Sequence, residues 1–95
     1  MQKTEGKLRY HSSAHPGRGL VIFIPVDVAR EFNKEYVEVV TDRMVSYGKC
    51  SVRSDERIGY ITVTQDVAKK HYTEEELKNG HRTHIEIRKK EVVGG

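Results

Sequence analysis

A strand, a corner and a short helix follow one another in GLVIFIPVDVAREF, residues 19–32. Leu20–Ile24 is continuously apolar and rich in branched side chains, which is typical of a central β-strand. Pro25 cannot donate a hydrogen bond to a neighbouring strand, so the strand is expected to end there and a helix to begin. Val28, Ala29 and Phe32 then fall on one helical face, which is expected to be buried.

A degenerate copy of this stretch occurs in IGYITVTQDVAKKHY, residues 58–72. Asp-Val-Ala stands at residues 27–29 in the first copy and at residues 66–68 in the second. The flanks also match, because Val-Glu-Val at residues 37–39 corresponds to Ile-Glu-Ile at residues 85–87. These matches predict an internal duplication. The alternative is two similar strand-helix units within one small α+β domain.

Each copy comprises a strand, a loop, a second strand, a short helix and a third strand. The first repeat covers about residues 7–45 and the second about residues 49–93, within a single domain of residues 1–95. A three-stranded half alone would leave open edges and a weak core. The sequence therefore predicts a mostly β fold, in which the two halves pair about a pseudo-two-fold axis and close a six-stranded barrel.

Local signals indicate where the elements begin and end. Residues 1–6 are polar and are expected to be frayed, and the strand that opens the second repeat is expected to start at Lys49. Thr64 is expected to cap the second helix with its hydroxyl. Thr73 begins a capping-box pattern for a further helical turn, which Gly80 should end.

Composition bounds the compartment and the partners. The chain has 95 residues, of which 33% are charged, and a net charge of +3 at neutral pH, which is compatible with a polyanionic partner without requiring one. Cys50 is the only cysteine, which excludes an internal disulfide and fits a reducing, cytoplasmic compartment. Its apolar neighbours predict a buried thiol. No run approaches the ~18 apolar residues that a membrane span needs, so no membrane partner is expected.

The segment GRGLVIFIPVDVAREF, residues 17–32, followed by YVEVV, residues 36–40, resembles the AbrB/SpoVT half-barrel. The match rests on Arg18, on the Ile-Pro corner at residues 24–25 and on Ala-Arg at residues 29–30. AbrB-type chains hold one such half and close the barrel by dimerising. Two halves in one chain resemble the cradle-loop barrels of RIFT or double-psi type, and the RIFT type of small archaeal proteins is preferred. The resemblance implies a DNA-binding, transcription-associated protein.

A second resemblance concerns the archaeal CTP-dependent riboflavin kinases, which are also RIFT barrels. Tyr-His-Ser-Ser at residues 10–13 and the first helix carry this match. The resemblance implies nucleotide or flavin binding as an alternative function. A protein-binding scaffold without activity is a third alternative, and the sequence favours a non-enzyme over an enzyme.

The loops between the first and second strands of each repeat are expected to lie across one face of the barrel. Their guanidinium groups, hydroxyls and imidazoles suit phosphate oxygens, and backbone amides near Gly17 and Gly19 add further donors. The alternative is that these loops merely cover the barrel end. The predicted phosphate- or nucleic-acid-binding residues of the loops are His11, Ser12, His15, Arg18, Arg53 and Arg57.

A second basic group occurs late in the chain. It is expected to follow a phosphate backbone, with Tyr60 or Tyr72 close enough to stack on bases. The glutamates at residues 74–76 dilute this charge, so an ordinary solvated mixture of charges is the alternative. The predicted binding residues of this group are Lys69, Lys70, Arg82 and Arg88.

Neither a metal site nor a catalytic site is predicted. His81 and His84 are three apart in a strand and would point to opposite faces, and too few further ligands are present for zinc. Asp27 and Asp66 are equivalent in the repeat, but each falls in the first turn of a helix, where a carboxylate stabilises the helix end. No cofactor is expected. The expected partner is nucleic acid, bound by a monomer or a weak homodimer.

Overall fold

A computed structural model of the chain describes residues 2–10, 19–53 and 56–89. Six antiparallel strands close a barrel in the order β1-β2-β5-β4-β3-β6, which confirms the predicted mostly β, six-stranded barrel. The strands are β1 (Gln2–Tyr10), β2 (Leu20–Ile24), β3 (Tyr36–Val40), β4 (Val45–Val52), β5 (Gly59–Val63) and β6 (His81–Lys89). The helices within the described ranges are α1 (Val26–Glu31), α2 (Gln65–His71) and α3 (Glu74–Asn79).

The interior of the barrel is filled by side chains that alternate along the strands. Leu8, Ile22 and Ile61 are completely buried on β1, β2 and β5, and Val39 and Ile87 are completely buried on β3 and β6. Because strand side chains alternate with a period of two, the intervening residues lie on the outer face. Burial contributes about 1.5–3 kcal/mol for each such aliphatic side chain, so this interior is a main source of stability.

The short helices add buried side chains to the same core. Ala29 and Phe32 are buried where α1 packs on β4 and β5, as the helical pattern predicts. Leu77 is completely buried on α3, which packs against β1. A β-carbon on Gly59 would overlap the β-carbon of Ala29, so α1 approaches β5 closely. No helix within the described ranges has the length and apolarity that crossing a membrane requires.

The helix ends differ in how they are capped. Thr73 and Glu76 form the predicted capping box, and α3 ends before Gly80 with a positive φ of 87°. The prediction of a hydroxyl cap at Thr64 is wrong, because no first-turn N–H donates to its side chain. Thr64 is exposed, so water can satisfy both its hydroxyl and the first N–H groups of α2. Cys50 is buried as predicted.

Two strand boundaries also differ from the prediction. Residues 2–6 are not frayed but form the first part of β1, because they pair with β6 from Gln2 opposite Ile87 onward. The fourth strand begins at Val45 rather than at Lys49, because its first half pairs with β3. For residues 2–6 a distant strand supplies hydrogen-bond partners that the polar local sequence does not reveal, whereas the start of β4 pairs with the preceding strand in a hairpin.

Two glycines lie where the long strands change partner. β1 pairs first with β6 and then with β2, and β4 pairs first with β3 and then with β5. Gly6 and Gly48 lie at these changes. A β-carbon on Gly6 would stand 2.6 Å from Cγ2 of Ile22, and a β-carbon on Gly48 would overlap the carbonyl oxygen of Thr62. The missing side chains therefore allow the close approach that closing a small barrel requires.

Candidate nucleic-acid interface

The predicted loop residues fall into two groups. Arg53 is exposed and follows β4, and its N–H donates to the carbonyl oxygen of Ile58 at 2.9 Å across a turn that leads into β5. Arg57 is exposed in the same turn and takes part in a further interaction of its own. Four of the predicted binding residues lie outside the described residues, namely His11, Ser12, His15 and Arg18.

The described ends of the two loops attach to one pair of strands. The loop before β2 joins at Leu20, which is opposite Val63 at the end of β5. The loop before β5 joins at Gly59, which is opposite Ile24 at the end of β2. The two loops therefore flank the β2–β5 ladder at opposite ends, about 14 Å apart along the strands.

Two members of the late basic group have carboxylate partners. Arg88 contacts Glu38 at 3.5 Å and Glu86 at 3.0 Å on the outer face of β3 and β6. Arg82 contacts Glu5 at 3.4 Å between β6 and β1. The structure therefore brings Arg82 and Arg88 into ion pairs with carboxylates rather than into one continuous basic track.

Lys69 and Lys70 lie apart from these strands, on the exposed last turn of α2. They line a groove of about 490 Å³ that Arg43 and His71 also border. Two glutamates of α3, Glu74 and Glu76, are part of the same lining. The groove therefore carries charges of both signs.

Arg43 and Glu76 form an ion pair within this groove. The Nη1 atom of Arg43 lies 3.0 Å from both carboxylate oxygens of Glu76, and its guanidinium lies 4.8 Å above the ring of Tyr72. The hydrogen bond from the backbone N–H of Thr73, reinforced by the hydrogen bond from Arg43, lowers the pKa of Glu76 to about 2. Glu76 is thus a structural carboxylate that ties the β3–β4 turn to α3.

A second polar contact joins β1 to α3. The Tyr10 hydroxyl donates to the carboxylate of Glu74 at 2.7 Å. Burial of the phenol, together with this hydrogen bond to a carboxylate, raises the pKa of Tyr10 to about 12. The contact fixes the end of β1, from which the first predicted binding loop departs.

A row of outward side chains crosses the strands between the two loops. Lys7 on β1 is directly opposite Phe23 on β2, Phe23 is opposite Tyr60 on β5, and Tyr60 is opposite Ser51 on β4. Arg82 on β6 extends the row beside Lys7. Because the six strands form a closed barrel, the row curves around it, and Ser51 on β4 lies on the strand opposite β1.

A parallel row lies one step along the strands. Arg9 is opposite Val21, and Val21 is opposite Thr62. Val21 is buried although it lies on the outer face, whereas Phe23 and Tyr60 are partly exposed and Thr62 is exposed. We call the parts of the two rows on β1, β2 and β5 the β2–β5 wall, whose members are Lys7, Arg9, Val21, Phe23, Tyr60 and Thr62.

A groove of about 320 Å³ opens beside Lys7 and Phe23 on the β2–β5 wall. Phe23, Lys7 and Pro25 line it, together with the Arg82–Glu5 ion pair. Its volume falls within the range of small-ligand sites, about 300–1,000 Å³.

Charge is distributed unevenly around the barrel. Lys7 and Arg9 are the cations of the β2–β5 wall, and Glu5 lies two residues before Lys7 on the same strand. Within the described ranges, no ion pair joins Lys7 or Arg9 to an acidic residue, whereas Glu5 pairs with Arg82. On the opposite side of the barrel, formed by β3 and β6, Arg88 pairs with both Glu38 and Glu86. The wall therefore presents two cations that have no carboxylate partner among the described residues.

Sequence reasoning did not predict Lys7, Arg9 or Phe23 as binding residues. Alternation in Lys-Leu-Arg-Tyr at residues 7–10 does indicate that Lys7 and Arg9 face outward. Their position beside Phe23 depends on strand register, which alternation does not reveal. Metal ligands are not gathered anywhere in the described part of the chain, where no group of three or more His, Cys, Asp or Glu could hold an ion.

Comparison of the chain with protein-family models, with curated proteins and with solved structures found no match. The case for an interface therefore rests on the geometry and the charge of the β2–β5 wall itself.

Proposed function

We propose that this chain binds nucleic acid through the β2–β5 wall, with the two flanking loops as further phosphate contacts. One observation carries the proposal: Lys7 and Arg9 lie beside the strands of the Phe23–Tyr60 pair and have no described ion pair to a carboxylate, while the β3–β6 side of the barrel is neutralised by ion pairs. Lysine and arginine neutralise backbone phosphates and release their condensed counterions, which supplies most of non-specific affinity. A transcription-associated role, which the AbrB-like residues 17–32 imply, is part of the proposal.

We also propose that the barrel is a duplicated cradle-loop barrel, with the RIFT type preferred. Exchange of β1 with β4, β2 with β5 and β3 with β6 leaves the neighbours of every strand unchanged, which supports the duplication. Ile22 and Ile61, equivalent in the repeat, face each other in the middle of the β2–β5 ladder. Val39 and Ile87, also equivalent, face each other between β3 and β6. Such self-pairing is expected at a two-fold axis.

The two partner-switch glycines give further support to the duplication. A β-carbon on Gly6 would meet Ile22 and the carbonyl oxygen of Phe23. A β-carbon on Gly48 would meet Ile61 and the carbonyl oxygen of Thr62, one residue further along β5. The same close approach thus occurs once in each proposed half.

The proposed function is tested by fluorescence anisotropy with labelled oligonucleotides of about 12 nucleotides, within the usual range of site sizes. The salt concentration is varied from about 50 to 200 mM. We expect affinity to fall as salt rises. Lys7→Gln and Arg9→Gln should each reduce the slope of log affinity against log salt by about 0.7–0.9, the effect of one lost phosphate contact.

Arg88→Gln is the matched control, because it removes the same unit of charge from the neutralised side of the barrel. Its slope should equal that of the unmodified protein. Absence of binding at about 50 mM salt, or an affinity indifferent to salt, would overturn the proposal. An effect of Arg88→Gln as large as that of Lys7→Gln would show that the β2–β5 wall is not the contact surface.

A further inference from the structure

We infer that the β2–β5 wall binds a single-stranded polynucleotide, with Phe23 and Tyr60 stacking on unpaired bases and Lys7 contacting the phosphates. This inference rests on the proposed nucleic-acid-binding function and specifies the form of nucleic acid that the site takes. It starts from Phe23 and Tyr60, two aromatic residues that are directly paired on adjacent strands of the wall.

The aromatic pair is placed where bases can reach it. Phe23 and Tyr60 are neighbours on the outer face of adjacent strands, and both are only partly buried. Each base of an unpaired strand has a π-face that can stack on an aromatic side chain, whatever the sequence. In a duplex these faces are covered by neighbouring bases, so an aromatic ring on a sheet cannot stack on them.

The closed sheet also excludes groove reading. The major groove of B-DNA is about 12 Å wide and admits a helix or a two-stranded ribbon. Phe23 and Tyr60 lie on adjacent strands that are flanked on both sides within a closed sheet, so the wall presents no free two-stranded ribbon that could enter the groove. A duplex would therefore contact this surface through phosphates and leave Phe23 and Tyr60 unused.

The groove beside Phe23 offers separate contacts for a base and for a phosphate. Phe23 provides the apolar lining, and Lys7 provides a cation that none of the described ion pairs joins to a carboxylate. Arg82 is held by Glu5 at 3.4 Å, so its charge is already offset. The geometry therefore gives Phe23 to the base and Lys7 to the phosphate, while Glu5 can accept a hydrogen bond from an amino group of the base.

The two rows of the wall differ in a way that fits a single strand. Under the proposed duplication, Phe23 corresponds to Thr62 and Tyr60 corresponds to Val21, so the aromatic pair occurs on one side of the axis only. Proteins that use two-fold symmetry on duplex DNA present the same residues to both half-sites. One aromatic row instead provides a directional track for one strand.

The test compares a single strand with the duplex of the same sequence, in DNA and in RNA, by anisotropy. We expect the single strand to bind at least about fivefold more tightly, which is the effect of one stacked base. Phe23→Leu and Tyr60→Leu keep an apolar side chain but lose the π-face, so each should weaken single-strand binding about 5- to 140-fold. Tyr60→Phe keeps the ring and should bind as the unmodified protein does.

Two measurements separate stacking from loss of fold. The chain contains no tryptophan, so Tyr60→Trp introduces a single indole whose fluorescence should be quenched by a single strand and not by a duplex. Tyr47→Leu is the control for removal of a tyrosine from the outer face, since Tyr47 is 40% exposed and lies opposite Glu38 on β3. Thermal unfolding of each variant shows that the barrel remains folded.

The outcomes distinguish this inference from the proposed function. Failure to bind any oligonucleotide overturns both. Equal affinity for single strand and duplex, with weaker binding in Lys7→Gln and no change in Phe23→Leu, overturns the single-strand inference and leaves the proposed function standing. Tight binding of either a DNA or an RNA strand supports the inference, provided that Phe23→Leu weakens it and Tyr47→Leu does not.

Discussion

The carbonyl oxygen of Thr62 occupies the space that a β-carbon on Gly48 would need. Gly48 is buried on β4, at the point where this strand leaves β3 for β5. Any side chain there must displace the backbone of β5 rather than a side chain that can rotate. The absence of a β-carbon at Gly48 is thus a condition for closing the barrel on this side.

Gly48→Ala should therefore destabilise the fold by more than about 3 kcal/mol, above the usual cost of overpacking. Gly6→Ala should cost about 1–3 kcal/mol, because its nearest contact is Cγ2 of Ile22 at 2.6 Å, and that side chain can adjust. Urea denaturation measures both. Lys49→Ala, on the exposed face of the same strand, is the control and should change stability by less than about 0.5 kcal/mol.

Protonation of Glu76 should lower the stability of the fold at acidic pH. Its pKa is lowered from 4.5 to about 2 in the folded state, first by the Thr73 backbone N–H and then by Arg43. The folded state therefore favours the carboxylate, which contributes fully above pH 4.5 and loses its contribution as the pH falls towards 2. Glu76→Gln should be less stable at neutral pH and lose less stability than the unmodified protein between these values.

Urea midpoints measured at a series of pH values test the Glu76 prediction. Glu75→Gln, in the same helical turn, is the matched control and should leave the acid limb of the curve unchanged. A curve for Glu76→Gln that falls as steeply with acid as that of the unmodified protein would contradict the role of Glu76.

Deprotonation of Tyr10 should lower the stability of the fold at alkaline pH. Burial and the hydrogen bond to Glu74 raise its pKa from 10.0 to about 12, so the folded state favours the neutral phenol. This contribution is fully present below pH 10 and is lost as the pH rises towards 12. Tyr10→Phe should cost about 0.5–1.5 kcal/mol at neutral pH, through the lost hydrogen bond, and should flatten the alkaline limb. Denaturation at several pH values and absorbance of the phenolate measure these two effects.

Cys50 should be unreactive in the folded protein. Its thiol is completely buried, and burial, reinforced by the nearby charge of Glu35, raises its pKa to about 11. Because the thiolate is the reactive form, alkylation at pH 8 should require unfolding. Iodoacetamide should label the urea-unfolded chain rapidly and the folded chain slowly. Labelling of the folded protein at the rate of a free cysteine would show that Cys50 is accessible.

Much of the fold was predictable from short stretches of sequence. The apolar run of Leu20–Ile24 predicted β2, Pro25 marked its end, and Thr73 predicted the capping box of α3. These features depend on residues within one turn or one strand of each other, so the local sequence contains the physical cause. The matching halves then predicted closure, because neither half could bury its edges alone.

Predictions that depended on a distant partner were less accurate. Residues 2–6 look like a polar tail, yet the distant β6 pairs with them. The early start of β4 has a different cause, because its partner β3 is the preceding strand of the chain. The proposed roles of Arg53 and Arg57 stay predictions. The loop residues His11, Ser12, His15 and Arg18 also stay predictions, since they lie outside the described ranges.

The sequence by itself determined which side chains face inward, because alternation along a strand is a local property of the backbone. Only the tertiary structure decided that Lys7, Phe23 and Tyr60 lie side by side, and that Arg82 and Arg88 meet glutamates. Register joins residues that are far apart in the chain, and a shift of one residue would move every neighbour to the other face. The candidate binding surface thus depends on which strands pair and in which register, whereas the barrel core follows from the alternation of apolar residues along each strand.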